Sequence, residues 1–144
     1  MKEFNGFVSP ICFPNVPGLK EENLDAIVAG WGRDENGKYG LNLRKANVTI
    51  LPPDTCEAIL SYTGFRGVLY CALDKTGNGG GVCRGDSGGP LFNYNPTTLR
   101  YEVLAIVQGG EMCGVTPDVY TDVNDQNIRS WILGGISLSL NLSY

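Results

Sequence analysis

Residues 79–91 read GGGVCRGDSGGPL, with a single serine, Ser87, flanked by Gly85, Gly88 and Gly89 and preceded by Cys83. A serine hydroxyl becomes a useful nucleophile only when a base takes its proton and hydrogen-bond donors wait for the oxyanion. Aiming backbone N–H groups that way asks the loop for dihedral angles that side chains disfavour, and the three glycines permit them. A glycine-rich turn capped by Asp86 is the bland account of a bare DSGG. The complete GDSGGP, with a cysteine placed to tether the loop, favours a nucleophile.

On either side of this loop the chain reads as short strands. Period-2 or short apolar runs bounded by turn residues lie at 25–33, 43–51, 68–73, 89–94, 100–107 and 118–123. Six such runs, among many Val, Ile, Tyr and Thr with 20 Gly and 8 Pro, predict an all-β chain closed into a barrel. A short helix is expected over 53–62, with Asp54 and Glu57 forming a capping box. A second is expected over 127–133, with an apolar face at Ile128, Trp131 and Ile132 and a stop at Gly134-Gly135. Residues 1–24, with Pro10, Pro14 and Pro17, read as an extended strap over the surface. The tail 134–144 alternates Ile136, Leu138, Leu140 and Leu142 with polar residues and would form a strand if it met a sheet edge.

The chain of 144 residues is long enough for one domain with a real core. Its net charge is −4, with the cations scattered and only Arg44 and Lys45 adjacent, so it has no stripe to neutralise a phosphate backbone, and nucleic acid is not an expected partner. No run approaches the ~20 apolar residues of a membrane span, and the opening MKEFNGFVSPICFP lacks the apolar core of a signal peptide. Five cysteines with no CxxC pair and no histidine suit disulfides in an oxidising compartment, not a zinc site; no metal and no cofactor is expected. For a secreted protein without a signal, a missing N-terminal portion is expected. The odd count leaves one cysteine as a free thiol or as half of a bridge to something outside the chain. Asn47-Val48-Thr49 and Asn141-Leu142-Ser143 match the glycosylation sequon.

GDSGGP resembles the active-serine motif of the trypsin- and chymotrypsin-like serine proteases. Other stretches are similar to that family in the family's own order. FVSPICFP resembles the strap between its two barrels, AGWG at 29–32 its first strand in the second barrel, and LRKANVTIL the next strand. LYCAL resembles the segment before the active loop, PDVYTDV the last strand and IRSWI the terminal helix. The resemblance covers residues 4–133 and implies the second six-stranded antiparallel Greek-key barrel of the double-barrel fold, at 25–133, with a C-terminal helix. It implies Ser87 as nucleophile, the N–H groups of Gly85 and Ser87 as oxyanion hole, and Asp86 as support of that loop, where family members pair the aspartate with an N-terminal ammonium. Gly81, Val82, Arg84, Gln108, Gly110 and Asp118 would shape the specificity pocket. Cys56 would pair with Cys71 and Cys83 with Cys113, leaving Cys12 either to bridge to a missing N-terminal half or to remain a buried free thiol.

Two departures bear on substrate choice. The family's Ser-Trp-Gly beside the cleft is Gln108-Gly109-Gly110 here, which removes an apolar wall. Gly81 stands where trypsin-type enzymes carry the aspartate that meets Lys or Arg, while Asp118 replaces a glycine of the pocket wall. Crustacean collagenolytic serine proteases resemble this arrangement, which implies acceptance of both basic and large apolar side chains. The expectation is therefore a secreted serine endopeptidase working through an acyl-enzyme on Ser87, acting on proteins or peptides and met by protease inhibitors. The catalytic histidine and aspartate have no counterpart in the chain, so these residues alone are expected to be inactive. The alternative is a non-catalytic homologue acting as a decoy or binding module.

Overall fold

The computed structural model describes residues 8–14, 22–34, 36–61 and 67–141, with side chains up to residue 135. Residues 1–7 and 15–21 of the expected strap, Tyr62 and residues 142–144 lie outside the described residues. Six strands form, β1 (Asp25–Gly30), β2 (Arg44–Ile50), β3 (Leu69–Leu73), β4 (Pro90–Asn95), β5 (Arg100–Gly109) and β6 (Asp118–Asp122). They close into one antiparallel barrel in the order β1-β2-β3-β6-β5-β4. The expected all-β barrel with a C-terminal helix is what the chain adopts.

Alternation along the strands fills the barrel. Ala26 and Val28 of β1, Val48 and Ile50 of β2, Tyr70 and Ala72 of β3, Leu91 of β4 and Tyr120 of β6 point inward and pack as one cluster. Cys71 and Val119, between the inward residues of β3 and β6, face outward onto Leu51, Cys56 and Leu60 beneath helix α1 (Pro53–Leu60). That helix is why β3 is buried on both faces and reads as an unbroken apolar run. In β5 the run Val103-Leu104-Ala105 is buried without alternation because a bulge opposite Leu91 and Phe92 inserts Leu104 into the ladder.

Both helices depart from the sequence expectation. Asp54 is not the cap of α1. The cap position is Pro52, without a side-chain capping bond, and Pro53 opens the first turn, where its missing N–H costs nothing. Ser61, left-handed at φ 56°, ends the helix by donating its N–H to the Glu57 carbonyl. Helix α2 runs from Gln126 to Asn141, started by Asp125, whose Oδ1 accepts the N–H groups of Asn127 (3.0 Å) and Ile128 (3.2 Å). Gly134-Gly135 does not stop it. A glycine ends a helix by entering the left-handed region, and neither glycine does so here. The tail is therefore helical through Asn141, not a strand, and a closed barrel leaves it no edge to join.

Residues 8–14 lie along the end of β5 beyond the reach of β6. Cys12 donates its N–H to the Tyr101 carbonyl (3.1 Å) and accepts that of Val103 (3.0 Å), a single parallel bridge. Arg129 of α2 clamps this segment by donating to the Pro14 carbonyl and stacking its guanidinium 4.8 Å over the Phe13 ring. The cysteines pair as the resemblance implies, Cys56 with Cys71 and Cys83 with Cys113, and Cys12 is a half-buried free thiol. Asn47 is exposed on β2.

Candidate active site

The loop between β3 and β4 carries Ser87, and three sets of contacts fix its shape. The Cys83–Cys113 disulfide ties it to the β5–β6 connection. The Asp86 carboxylate accepts the Gly32 N–H on Oδ1 (2.8 Å) and the Cys83 N–H on Oδ2 (3.0 Å). Behind Ser87, Gly88 donates to the Val107 carbonyl (2.9 Å), and Val107 donates back to Gly89 (2.8 Å).

The Asp86 carboxylate explains the GWG in β1 and its exit. A Cβ on Gly30 would lie 2.0 Å from Oδ1, and one on Gly32 2.3 Å from Oδ2, so the two glycines clear the space that the carboxylate fills. Gly89 is held for a similar reason, since its Cβ would come within 2.9 Å of the Asp86 carbonyl oxygen.

The turn at residues 83–86 sets the direction of one N–H. Asp86 donates to the Cys83 carbonyl (3.0 Å), Gly85 has φ +101°, and Arg84 keeps a negative φ, which together describe a type II turn. The Arg84 carbonyl in the middle of that turn accepts the Arg33 N–H at 3.0 Å. In a planar trans peptide C=O and N–H point in opposite directions, so the Gly85 N–H faces away from Arg33, on an exposed residue. Ser87 is also exposed, and its Oγ lies 3.4 Å from the Gln108 carbonyl, a long hydrogen bond. Gln108 reaches this position because a bulge between Val107 and Gly109 leaves it unpaired with β6.

Asp118 opens β6, and its carboxyl group sits between two glycine backbones. A Cβ on Gly81 would fall 2.6 Å from Oδ2, and one on Gly110 2.3 Å from Oδ1. Oδ2 accepts the Val82 N–H at 2.8 Å. Among the described residues Oδ1 has no partner, nor does the buried hydroxyl of Tyr120, two residues further along the same inward face. Asp118 is 2 % exposed. Burial pushes its pKa up to about 7; the Val82 N–H opposes the rise and the negative charge of Asp86 adds to it. Burial likewise pushes the Tyr120 hydroxyl well above its ordinary value, with smaller contributions from Asp118 and Asp86.

The expected pocket residues thus fall into two groups. Gly81, Val82, Gly110 and Asp118 meet around one carboxyl group, whereas Arg84 and Gln108 are exposed, with the Gln108 carbonyl beside Ser87 Oγ. A cleft of about 820 Å³ is lined by Gly32, Arg44, Gly79 and Asp86 and also by Gly81, Val82 and Arg84, so it shares three of the expected pocket residues, whereas Ser87, Gln108, Gly110 and Asp118 do not line it. Sequence reasoning missed the Arg33 N–H that orients the turn and the orphaned Tyr120 hydroxyl. A backbone donor leaves no mark on residue type, whereas Tyr120 was findable as a polar tip two residues from Asp118 on one strand face.

Comparison with known proteins gives a match to the family model described as Trypsin over residues 1–132. Coagulation factor XII of Bos taurus is 38% identical over 133 residues, covering 88% of this chain and 21% of that protein. Mannan-binding lectin serine protease 1 of Mus musculus is 33% identical over 114 residues, 76% of this chain and 16% of its own length. The clotting factor G beta subunit of Tachypleus tridentatus is 32% identical over 131 residues, covering 83% and 42%. The chain therefore spans about a fifth of the length of the factor XII it matches.

Proposed function

The chain belongs to the trypsin family of serine proteases, and from that we propose that Ser87 is the nucleophile of a serine endopeptidase whose general base comes from outside these 144 residues. The sequence contains no histidine, so no imidazole within it can take the Ser87 proton. In the complete protease Ser87 Oγ bonds to the carbonyl carbon of the scissile peptide as its proton passes to the base. The amine then leaves with that proton, and water hydrolyses the acyl-serine ester. The N–H groups of Gly85 and Ser87 receive the oxyanion, and Asp86 holds the turn that carries them.

The observation that carries this reading is the type II turn at Gly85. Its carbonyl is tied back by Arg33 and its flank by Asp86, so a donor is already turned outward beside an exposed serine before any substrate arrives. Such preorganisation serves acyl transfer and has no structural necessity in a barrel loop. The pocket reading is Gly81, Val82, Gly110 and Asp118 at the base, with Arg84 and Gln108 at the rim. This base accepts basic side chains through the carboxylate and apolar ones over Gly81. The two disulfides fit an oxidising, extracellular setting, and Cys12 is the thiol available for a bridge to a segment outside the chain.

The test uses a fluorophosphonate probe and peptide anilide substrates. The complete protease is expected to be labelled at Ser87 and to lose turnover on Ser87→Ala. Residues 1–144 alone are expected to show no turnover above their own Ser87→Ala control, since loss of a triad member leaves roughly 10³–10⁴-fold over water. Turnover by residues 1–144 that Ser87→Ala abolishes would mean that another group activates the serine, and the external base would be wrong.

A further inference from the structure

The Asp118 carboxyl group is placed as few carboxylates are. In water an ionised carboxylate accepts several hydrogen bonds, and a buried one is tolerated when its oxygens are satisfied. Here Oδ2 has one backbone N–H and Oδ1 has none. Oδ1 lies directly beneath the backbone of Gly110, which is exposed, so the unpartnered oxygen is one residue's thickness from the surface beside Gln108 and Ser87. The second orphaned polar atom, the Tyr120 hydroxyl, belongs to the same strand face. Gly81 lines the large cleft and its backbone lies against the Asp118 carboxyl, so a side chain lodged in the cleft at Gly81 has that carboxyl behind the wall it touches.

Resting on the reading of Ser87 and its pocket given above, we propose that Asp118 is a proton-gated selector. With the proton on Oδ1 the pocket floor is neutral and takes apolar side chains; without it, Oδ1 takes the ammonium or guanidinium of a basic one. The substrate chosen by one active site then changes with the acidity of its surroundings.

The groups that act on Asp118 support such a gate. From the nucleophile loop come the Val82 N–H, which favours the ionised form, and the Asp86 carboxylate, which opposes it. From β6 itself comes Tyr120, which stays uncharged. No arginine or lysine among the described residues contributes an opposing charge. Desolvation is the largest influence, and it places the proton's release near neutrality instead of near pH 4. An arriving cation supplies the partner that Oδ1 lacks, so it binds the ionised form selectively. An apolar side chain supplies none and favours the protonated form.

The experiment measures kcat/KM in the complete protease for two peptide substrates that differ only in Lys or Leu at the residue before the scissile bond, from pH 5.5 to 8.5. Lysine stays protonated throughout this range. The ratio of the two constants cancels the titration of the general base and every step common to both substrates. From pH 6 to pH 8 the Lys to Leu ratio is expected to rise about 10-fold if only lysine senses the proton, and about 100-fold if both side chains do. In Asp118→Asn the ratio should lie flat, and Asp118→Gly gives the same reading should the first variant fail to fold. A flat ratio in the native enzyme, or an undiminished slope in either variant, overturns the gate while leaving Ser87 as nucleophile. Turnover that survives Ser87→Ala overturns the reading of the site, and the gate falls with it.

Discussion

Asp118 carries a cost that the barrel does not need. A residue at the head of β6 is buried with one carboxyl oxygen unbonded, and the neutral acid is the form that the surroundings favour. The sign of its effect on stability follows. Its pKa rises from 3.8 in the unfolded chain to about 7 in the fold, so between those values the folded state binds more protons than the unfolded state. The contribution is fully present below about pH 4, is lost as pH rises through 7, and is constant above that. Its size is on the order of a few kcal/mol, or roughly 5–10 °C in melting temperature for a chain of this length. Melting curves of the native chain and Asp118→Asn from pH 4 to 8 are therefore expected to converge on a nearly constant offset only above pH 7, with the native protein losing stability relative to the variant on the way up. Parallel pH profiles would show that Asp118 ionises in the fold as it does in water.

At the scale of elements, α2 joins the barrel to the extended segment before it. Arg129 donates from one nitrogen to the Pro14 carbonyl and to Asn124 Oδ1 (3.1 Å) and covers the Phe13 ring. Charge-assisted bonds of this kind with a cation–π contact are worth about 1–3 kcal/mol together when truncated. Arg129→Ala is expected to speed amide exchange at Cys12, whose N–H donates to the Tyr101 carbonyl, and at Val103, whose N–H donates to the Cys12 carbonyl, while Ile106 inside the β4–β5 ladder exchanges at its native rate. Equal acceleration at all three would make Arg129 a support of the whole barrel instead of a clamp. Arg129→Lys keeps the charge but not the planar fork and should recover little of the loss. The strands were legible in the sequence because each alternates or runs apolar between turn residues. The helix ends were not. Gly134-Gly135 looks like a stop, yet neither glycine takes the left-handed conformation that ends a helix, and α2 continues to Asn141.

For the whole molecule, the two disulfides divide the labour between fold and site. Cys56–Cys71 closes 15 residues and pins α1 to β3; Cys83–Cys113 closes 30 and pins the Ser87 loop to the β5–β6 connection. By loop closure each contributes about 3–4 kcal/mol, slightly more for the longer loop. Paired replacement by alanine is expected to lower the melting temperature to a similar extent in both cases, whereas fluorophosphonate labelling of Ser87 in the complete protease should be lost only with Cys83–Cys113. Equal loss of labelling would mean that general instability, not the anchored loop, governs the site. The six apolar runs were enough to read the barrel, and GDSGGP was enough to point to a family resemblance that implied both bridges, because period, turn chemistry and motif are local properties of the chain. That Asp118 would lie near Gly81 was implied by the family resemblance. Only the tertiary structure decided that its Oδ1 has no partner, that the Gly85 N–H faces outward because Arg33 holds the carbonyl on its other side, and that the tail is helical. Each of these depends on what a group meets across the barrel, and backbone donors, burial and the absence of a sheet edge are not encoded in the identity of any one residue.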